Sequence, residues 1–173
     1  QGADKVMKKC CDALKIMNIR YFITDGTALG LYRNGSFIPH DNDIDVAIIG
    51  DYDVKMIHEY FTRKLKMSLG RRLFYKGKVQ QLIYYTSDEI IFDMVFWTKE
   101  DDGYCYVRFP ECEYPCKLDY KYFESESMYE FFGTQYPLHA HIEDWLKDRY
   151  GNDWMTPKTE KGDWRDDSNY FDK

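Results

Sequence analysis

Apolar residues recur at helical spacing through Val6, Ala13, Leu14 and Met17, so the periodicity predicts an amphipathic helix over residues 4–17. Residues 21–24 are a short β-rich run ending on Asp25-Gly26, a strand followed by a turn. A second helix is expected over 27–33, with Asp25 or Thr27 as its N-cap. Residues 34–40 hold Gly35 and Pro39 and form a loop. From 43 to 49 the pattern alternates and then turns continuously apolar, as in a buried strand. Helical spacing returns over 52–67 through Val54, Ile57, Phe61 and Leu65. Strands are then expected over 73–75, 80–85 and 90–97, the first two joined by a hairpin connection at Lys76-Gly77-Lys78. Residues 99–121 are loop-rich, with one strand over 104–109. A last helix spans 139–150 and is ended by Gly151.

This order of elements implies an α/β (α+β) domain, a mixed β-sheet flanked by helices. No repeat, low-complexity tract or linker divides it. The expectation is one domain over 1–173, with a core from about 4 to 157 and a charged, irregular C-terminal tail over 158–173.

Candidate chemistry gathers where the strand over 43–49 begins. In Asp41-Asn42-Asp43-Ile44-Asp45-Val46-Ala47-Ile48-Ile49, side chains alternate faces. Asp41, Asp43 and Asp45 therefore share one side, and Ile44, Val46 and Ile48 the other. Carboxylates on one face of a strand entering a core repel strongly unless a cation neutralises them, and hard oxygen ligands suit Mg2+ or Mn2+. A solvated acidic loop is the plainer reading; it suits Asp41 better than Asp43 and Asp45, which run straight into Val-Ala-Ile-Ile. A calcium loop of EF-hand type fails, because Val46 stands where Gly is needed and Tyr52 where Glu is needed.

A third carboxylate, Asp93, is isolated in Ile90-Ile91-Phe92-Asp93-Met94-Val95-Phe96-Trp97. An Asp in such a strand is costly unless paired or metal-bound, so a structural salt bridge competes with a shared metal cluster. Thr24-Asp25-Gly26-Thr27-Ala28-Leu29-Gly30 offers a phosphate cradle. Gly26 permits a tight turn, the helix N-terminus presents unpaired N–H groups, and Thr27 adds a hydroxyl. Alone, such a turn is an ordinary cap. Its place one strand before the acidic pair gives it weight.

Composition changes the picture only modestly. The 173 residues are 44% hydrophobic and carry a net charge of −6, without the basic footprint of a nucleic-acid binder. An acidic chain handling phosphates needs cations, although −6 is also an ordinary solubility charge. The 16 tyrosines suit half-wet surfaces and name no ligand. Cys10, Cys11, Cys105, Cys112 and Cys116 form an odd set, which points to a reducing, cytoplasmic compartment. Cys105, Cys112 and Cys116 could supply part of a zinc site, but with no fourth ligand at a recognisable spacing they are read as loop thiols. No apolar run approaches the ~20 residues of a membrane span, and no signal peptide is visible. Gln1 is not a natural start, so removal of an N-terminal anchor would leave the secretory-pathway lumen as the alternative setting.

Residues 23–49, ITDGTALGLYRNGSFIPHDNDIDVAII, closely resemble the signature of the LicD family, which includes bacterial phosphocholine transferases and the fukutin-related proteins. Gly26-Thr27, Leu29-Gly30, Arg33, Phe37-Ile38-Pro39 and Asp43-Ile44-Asp45 fall in register with the family pattern GTLLGxxRxxxFIPWDDDIDI. Asp93 matches its apolar-flanked third Asp, and YGNDWM with Pro157 resembles its C-terminal element. His40 stands where the family commonly has Trp, and Asn42 where Asp is frequent. The chain is also shorter than typical bacterial members, which leaves the acceptor open.

The resemblance spans about residues 19–157. It implies a polymerase-β-like nucleotidyltransferase fold and transfer of phosphocholine, or a similar phosphorylated alcohol, from a CDP-activated donor to a carbohydrate hydroxyl. By the same resemblance, Asp43 and Asp45 hold the metals that bridge the diphosphate. Asp93 completes the cluster and accepts the acceptor's proton. Gly26 and Thr27 cradle phosphate, Arg33 neutralises charge on the donor or leaving group, and Asp41 is an auxiliary ligand. Two other readings stand beside it. One is a true nucleotidyltransferase moving NMP from an NTP to a small molecule or protein. The other is a catalytically silent glycan- or nucleotide-binding module, against which the intact Asp43, Asp45 and Asp93 argue. Tyr84, Tyr85 and Trp97 either stack on a donor base or pack the core.

Overall fold

The computed structural model describes residues 2–158 and 170–172. In chain order the elements are α1 (Ala3–Ile16), β1 (Tyr21–Ile23), α2 (Asp25–Asn34), β2 (Asp43–Ile49) and α3 (Val54–Glu59) with a following π-helical turn (Tyr60–Lys64). Then come β3 (Ser68–Tyr75), β4 (Lys78–Tyr85), β5 (Ile91–Lys99), β6 (Tyr104–Val107), β7 (Cys116–Asp119), a 3-10 turn (Tyr120–Phe123), β8 (Glu126–Phe131), β9 (Thr134–His139) and α4 (Ile142–Tyr150). The strands form one mixed sheet ordered β3-β4-β5-β2-β1-β9-β8, with β6 and β7 extending from β5. β2 runs parallel to β5, and β1 parallel to β9; the other pairs are antiparallel.

Strand alternation splits the sheet into two unlike faces. Ile44, Val46 and Ile48 share one face with Phe92, Met94 and Phe96 of β5, and all are buried. The π-helical turn packs there: Phe61 lies 5.0 Å from Tyr84 and 5.7 Å from Phe92, ring centre to ring centre. On the other face, Phe22, Ala47, Val95 and Gln81 form a row by successive cross-strand pairing. Phe22 stacks on His139 at 5.1 Å, and His139 stacks on Trp145 of α4 at 4.6 Å. That row is the floor on which the acidic residues sit.

Several elements depart from the expected pattern. The helix over 52–67 is shorter and changes pitch, capped at its start by the Asp53 carboxylate, which accepts the Lys55 and Met56 N–H groups at 3.0 and 3.2 Å. His139 ends a strand instead of opening a helix. Burial holds its imidazole neutral, with a pKa pushed down to about 3, between the Tyr122 carbonyl and the Thr24 hydroxyl. Residues 126–139 form an unanticipated hairpin. Cys105 and Cys116 lie in β6 and β7, so they are buried strand thiols and not loop thiols; Cys112 alone stays in the loop. Burial pushes the Cys105 thiol up to about 12 and the Cys116 thiol higher still. Much of the expected tail lies outside the described residues. Residues 170–172 return to the body, where Phe171 bridges Cys116 and the Lys117 N–H meets the Tyr170 carbonyl at 3.1 Å. Among the described residues no helix is long and apolar enough to cross a membrane.

Candidate active site

The parallel pairing of β2 with β5 places Asp45 directly beside Asp93, and Asp43 beside Ile91. Partners in register share a face, and Asp43 lies two residues from Asp45, so all three carboxylates occupy the same side. The row through Asp45 and Asp93 continues to Ile83 in β4 and Arg71 in β3. Asp43, Asp45 and Asp93 are each half-buried, whereas Ile44 and Phe92 between them are fully enclosed on the opposite face.

Electrostatics at this row oppose the ionised state. Burial, then repulsion from Asp43, Asp25, Asp93 and Asp41, raises the Asp45 pKa well above the ordinary carboxylate value. Burial raises Asp93 to about 7; Asp25 and Asp43 add to the rise, while the Gln81 hydrogen bond and Arg71 oppose it. The Gln81 amide donates to both Asp93 oxygens, at 3.0 and 2.9 Å, and its own buried carbonyl oxygen is left without a partner. Arg71 in turn is clamped by Glu111 through two bonds of 2.7 and 2.9 Å.

α2 starts against this row because the chain makes a sharp elbow. Thr24 is extended, Asp25 has φ 46°, and the helix begins at once. The Thr24 N–H donates to the Asp45 carbonyl at 3.1 Å, and the Asp45 N–H donates to the Thr27 hydroxyl at 2.9 Å. Thr27 is thus buried and engaged with β2 at its hydroxyl. Asp25 does not cap the helix in the usual sense. Its carboxylate receives Arg149 Nε at 3.0 Å and the Tyr170 hydroxyl at 3.3 Å. Arg149 lies over the Tyr170 ring at 3.8 Å. Arg33 sits in the last turn of α2, roughly 10 Å further along the axis from Gly26. There it donates to Asn34 at 2.8 Å and to the Trp154 carbonyl at 3.2 Å. The structure therefore gathers Gly26, Thr27, Asp41, Asp43, Asp45 and Asp93, and holds Arg33 at the opposite helix end. Tyr84 and Trp97 are core residues, and only Tyr85 is exposed.

Gly26 has a specific steric reason. A Cβ there would lie 2.9 Å from an Asp41 carboxylate oxygen and 3.7 Å from one of Asp45. Gly26→Ala is expected to displace Asp41 or lift the helix start, destabilising the fold by ~1–3 kcal/mol and cutting turnover at least tenfold. Thermal melts with initial rates check this, and wild-type values in both would remove the steric argument.

Sequence reasoning did not single out Asp25 as a member, nor Arg71, Gln81, Arg149 or Tyr170. The paired Gln80-Gln81 inside an otherwise apolar strand was the available signal for one of them. Asp25 lies within the cradle segment itself, and Arg71, Arg149 and Tyr170 come from distant segments that only the fold joins.

The nucleotidyltransferase-domain model described as LicD/FKTN/FKRP matches residues 18–138. The chain belongs to the LicD/FKTN/FKRP family. The human ribitol-5-phosphate transferase FKTN is 23% identical over 171 residues, covering 95% of this chain and 35% of that protein. An uncharacterised Rickettsia typhi protein, RT0683, is 28% identical over 117 residues, covering 68% of this chain and 35% of the other. This LicD-type chain thus spans about a third of the length of the curated relatives it matches. Among solved structures, the lincosamide antibiotic adenylyltransferase LnuA aligns at TM-score 0.55 and 13% identity, covering 83% of this chain and 84% of that one. A solution structure of the antibiotic-resistance factor ANT(2'')-Ia aligns at TM-score 0.51 and 16% identity, covering 93% and 77%. At such identities these likenesses establish the nucleotidyltransferase fold.

The donor chemistry of the acidic row is that of a hard divalent cation. Its donors are oxygens alone, and Asp45 and Asp93 are disfavoured as anions by burial and by one another. Among the described residues no group of three or more His, Cys, Asp or Glu side chains is arranged to hold a metal ion.

Proposed function

We propose that this domain transfers a phosphorylated alcohol, phosphocholine or a close analogue, from a CDP-activated donor to a carbohydrate hydroxyl with Mg2+ or Mn2+. The observation that carries the reading is the register pairing of Asp45 with Asp93, with Asp43 on the same face. When bound between these carboxylates, the divalent ions would neutralise charge on the donor diphosphate. Asp43, Asp45 and Asp93 are assigned as their ligands, with Asp41 auxiliary. The N–H groups of the first turn of α2, at Gly26 and Thr27, have no partner within the helix and are assigned to a phosphate. Thr27 additionally fixes Asp45 through its hydroxyl. Arg33 is assigned to anchoring the 151–157 segment, and Arg71, the cation in the Asp93 row, to charge neutralisation.

Asp93, the carboxylate on the β4 side of the acidic row, is assigned to accept the acceptor's proton. In that step the acceptor oxygen forms the new P–O bond while the bond to the CMP phosphate breaks. CMP leaves with the electron pair, and the proton passes to a carboxylate oxygen of Asp93. All five cysteines are free, which supports the cytoplasmic setting proposed with this function.

A thermal-shift panel of CDP-choline, CDP-ribitol, CDP-glycerol, ATP and CTP, each with Mg2+, tests the assignment. A CDP-alcohol is expected to raise the melting temperature by several degrees and to release CMP when an acceptor is present. Stabilisation by an NTP with the nucleotide itself appearing on the product would overturn it.

A further inference from the structure

At the free end of the β3–β4 hairpin the chain encloses a groove of about 390 Å³ that the transfer chemistry has not used. One wall is the end of β3, with Phe74 and Tyr75; the other is the 108–115 segment, with Arg108, Phe109, Glu113 and Tyr114. We infer that this groove is a carbohydrate-binding subsite for a unit of the acceptor glycan away from the reacting hydroxyl, an inference that rests on the transfer reading above.

The walls are built before any ligand arrives. The Arg108 N–H donates to the Gln80 side-chain oxygen at 2.8 Å, tying the segment to β4. Arg71 grips Glu111 through two bonds, tying the segment to β3. At the far end the Asp172 N–H meets the Pro115 carbonyl at 2.9 Å. Such anchoring lowers the ordering cost of binding. Within this frame the large rings stay wet: Phe74, Tyr75 and Tyr114 are 44%, 40% and 38% exposed. A sugar ring matches that composition. Its C–H face packs on an aromatic face, and its hydroxyls meet the donors of Arg108 and the acceptor of Glu113.

Position separates this occupant from the nucleotide. Across the sheet the order runs from the start of α2 through Asp45, Asp93 and Ile83 to Arg71. Leu73, which lines the groove, pairs with Gln81, the residue that holds Asp93. The groove therefore lies on the side of Asp93 away from α2, two strands and so about 10 Å across the sheet from it. In-line phosphoryl transfer requires the attacking and leaving oxygens on opposite sides of phosphorus. With donor phosphate at α2, the attacking hydroxyl comes from the β3–β4 side.

The test titrates the metal-free, donor-free protein with the methyl β-glycosides of glucose, galactose, N-acetylglucosamine and N-acetylgalactosamine, read by backbone amide NMR. At least one glycoside is expected to give saturable shifts centred on 73–75 and 108–115. Tyr114→Ala or Phe74→Ala, both exposed positions that leave the core intact, should weaken that binding roughly tenfold. No saturable shift with any of the four, shifts centred elsewhere, or equal shifts of these amides by CMP would each overturn the inference. Sugar binding in the groove together with a failed CDP-alcohol panel would keep the groove and sink the transfer reading.

Discussion

Asp45→Asn is expected to abolish turnover by on the order of a thousandfold or more while raising the melting temperature measured in chelator at pH 8. The two effects have one cause. Asp45 is packed beside Asp43, Asp93, Asp25 and Asp41, so ionising it in the folded state is opposed both by burial and by like charge. An amide of the same shape removes that repulsion and also removes the proposed anionic ligand. The pH dependence has a definite sign. Asp93 has a folded pKa of about 7, raised from 3.8, so the folded state holds a proton that the unfolded chain releases. This contribution is fully present below the unfolded value and is lost as pH rises through about 7. Wild-type protein in chelator should therefore melt progressively lower from about pH 4 to pH 8, and Mg2+ should restore most of the loss at the upper end. Turnover by Asp45→Asn within tenfold of wild type, or a metal-free melting temperature that climbs over this range, would sink the assignment.

Arg149→Ala is expected to cost ~3–5 kcal/mol, a large share of the ~5–15 kcal/mol that holds an ordinary domain together. The Arg149 side chain is only 6% exposed and Asp25 18%, so the 3.0 Å pair between them is shielded from solvent. The substitution strips Asp25 of its cation and leaves one more unpaired carboxylate beside Asp45 and Asp93. It also removes the guanidinium from the faces of Tyr170 and Tyr150, at 3.8 and 4.7 Å. A double variant, Asp25→Asn with Arg149→Met, should recover much of the loss, because it deletes both charges together. Equilibrium denaturation of the three variants decides it. A single variant within 0.5 kcal/mol of wild type would show that the pair contributes little.

What could be read from the sequence follows from how much of the folding signal is local. β2 and β5 are continuous apolar runs because both of their sheet faces are covered, and that pattern survives without tertiary knowledge. The interruption of those runs by Asp43, Asp45 and Asp93 was visible for the same reason. Hairpin legibility depended on the turn residue. Lys76-Gly77 and Phe132-Gly133 both connect strands with positive φ at each residue, 47° and 77° against 52° and 76°. Flanking strands of clear alternation exposed the first. The second places Phe where Asn or Asp would announce a tight turn, and β9 carries Pro137, so the strand signal was muted. His139 looked like the opening of a helix because its burial depends on Phe22 and Trp145, neither of them near it in sequence. The cationic side of the site was invisible on the same grounds. Arg71, Arg149 and Tyr170 belong to three separate segments, and no spacing relates them to the acidic strand.

The hydroxyl contact between Tyr170 and Asp25 joins residues 145 positions apart, and it places a constraint on order in time. During synthesis the acidic strands emerge and pair long before residue 170 has left the ribosome. Until it does, Asp25 and Arg149 lack their contacts with Tyr170, and the nascent domain carries a less shielded ion pair beside its acidic row. Completion of this contact is therefore a late step in this fold, closed by a loop of long contour.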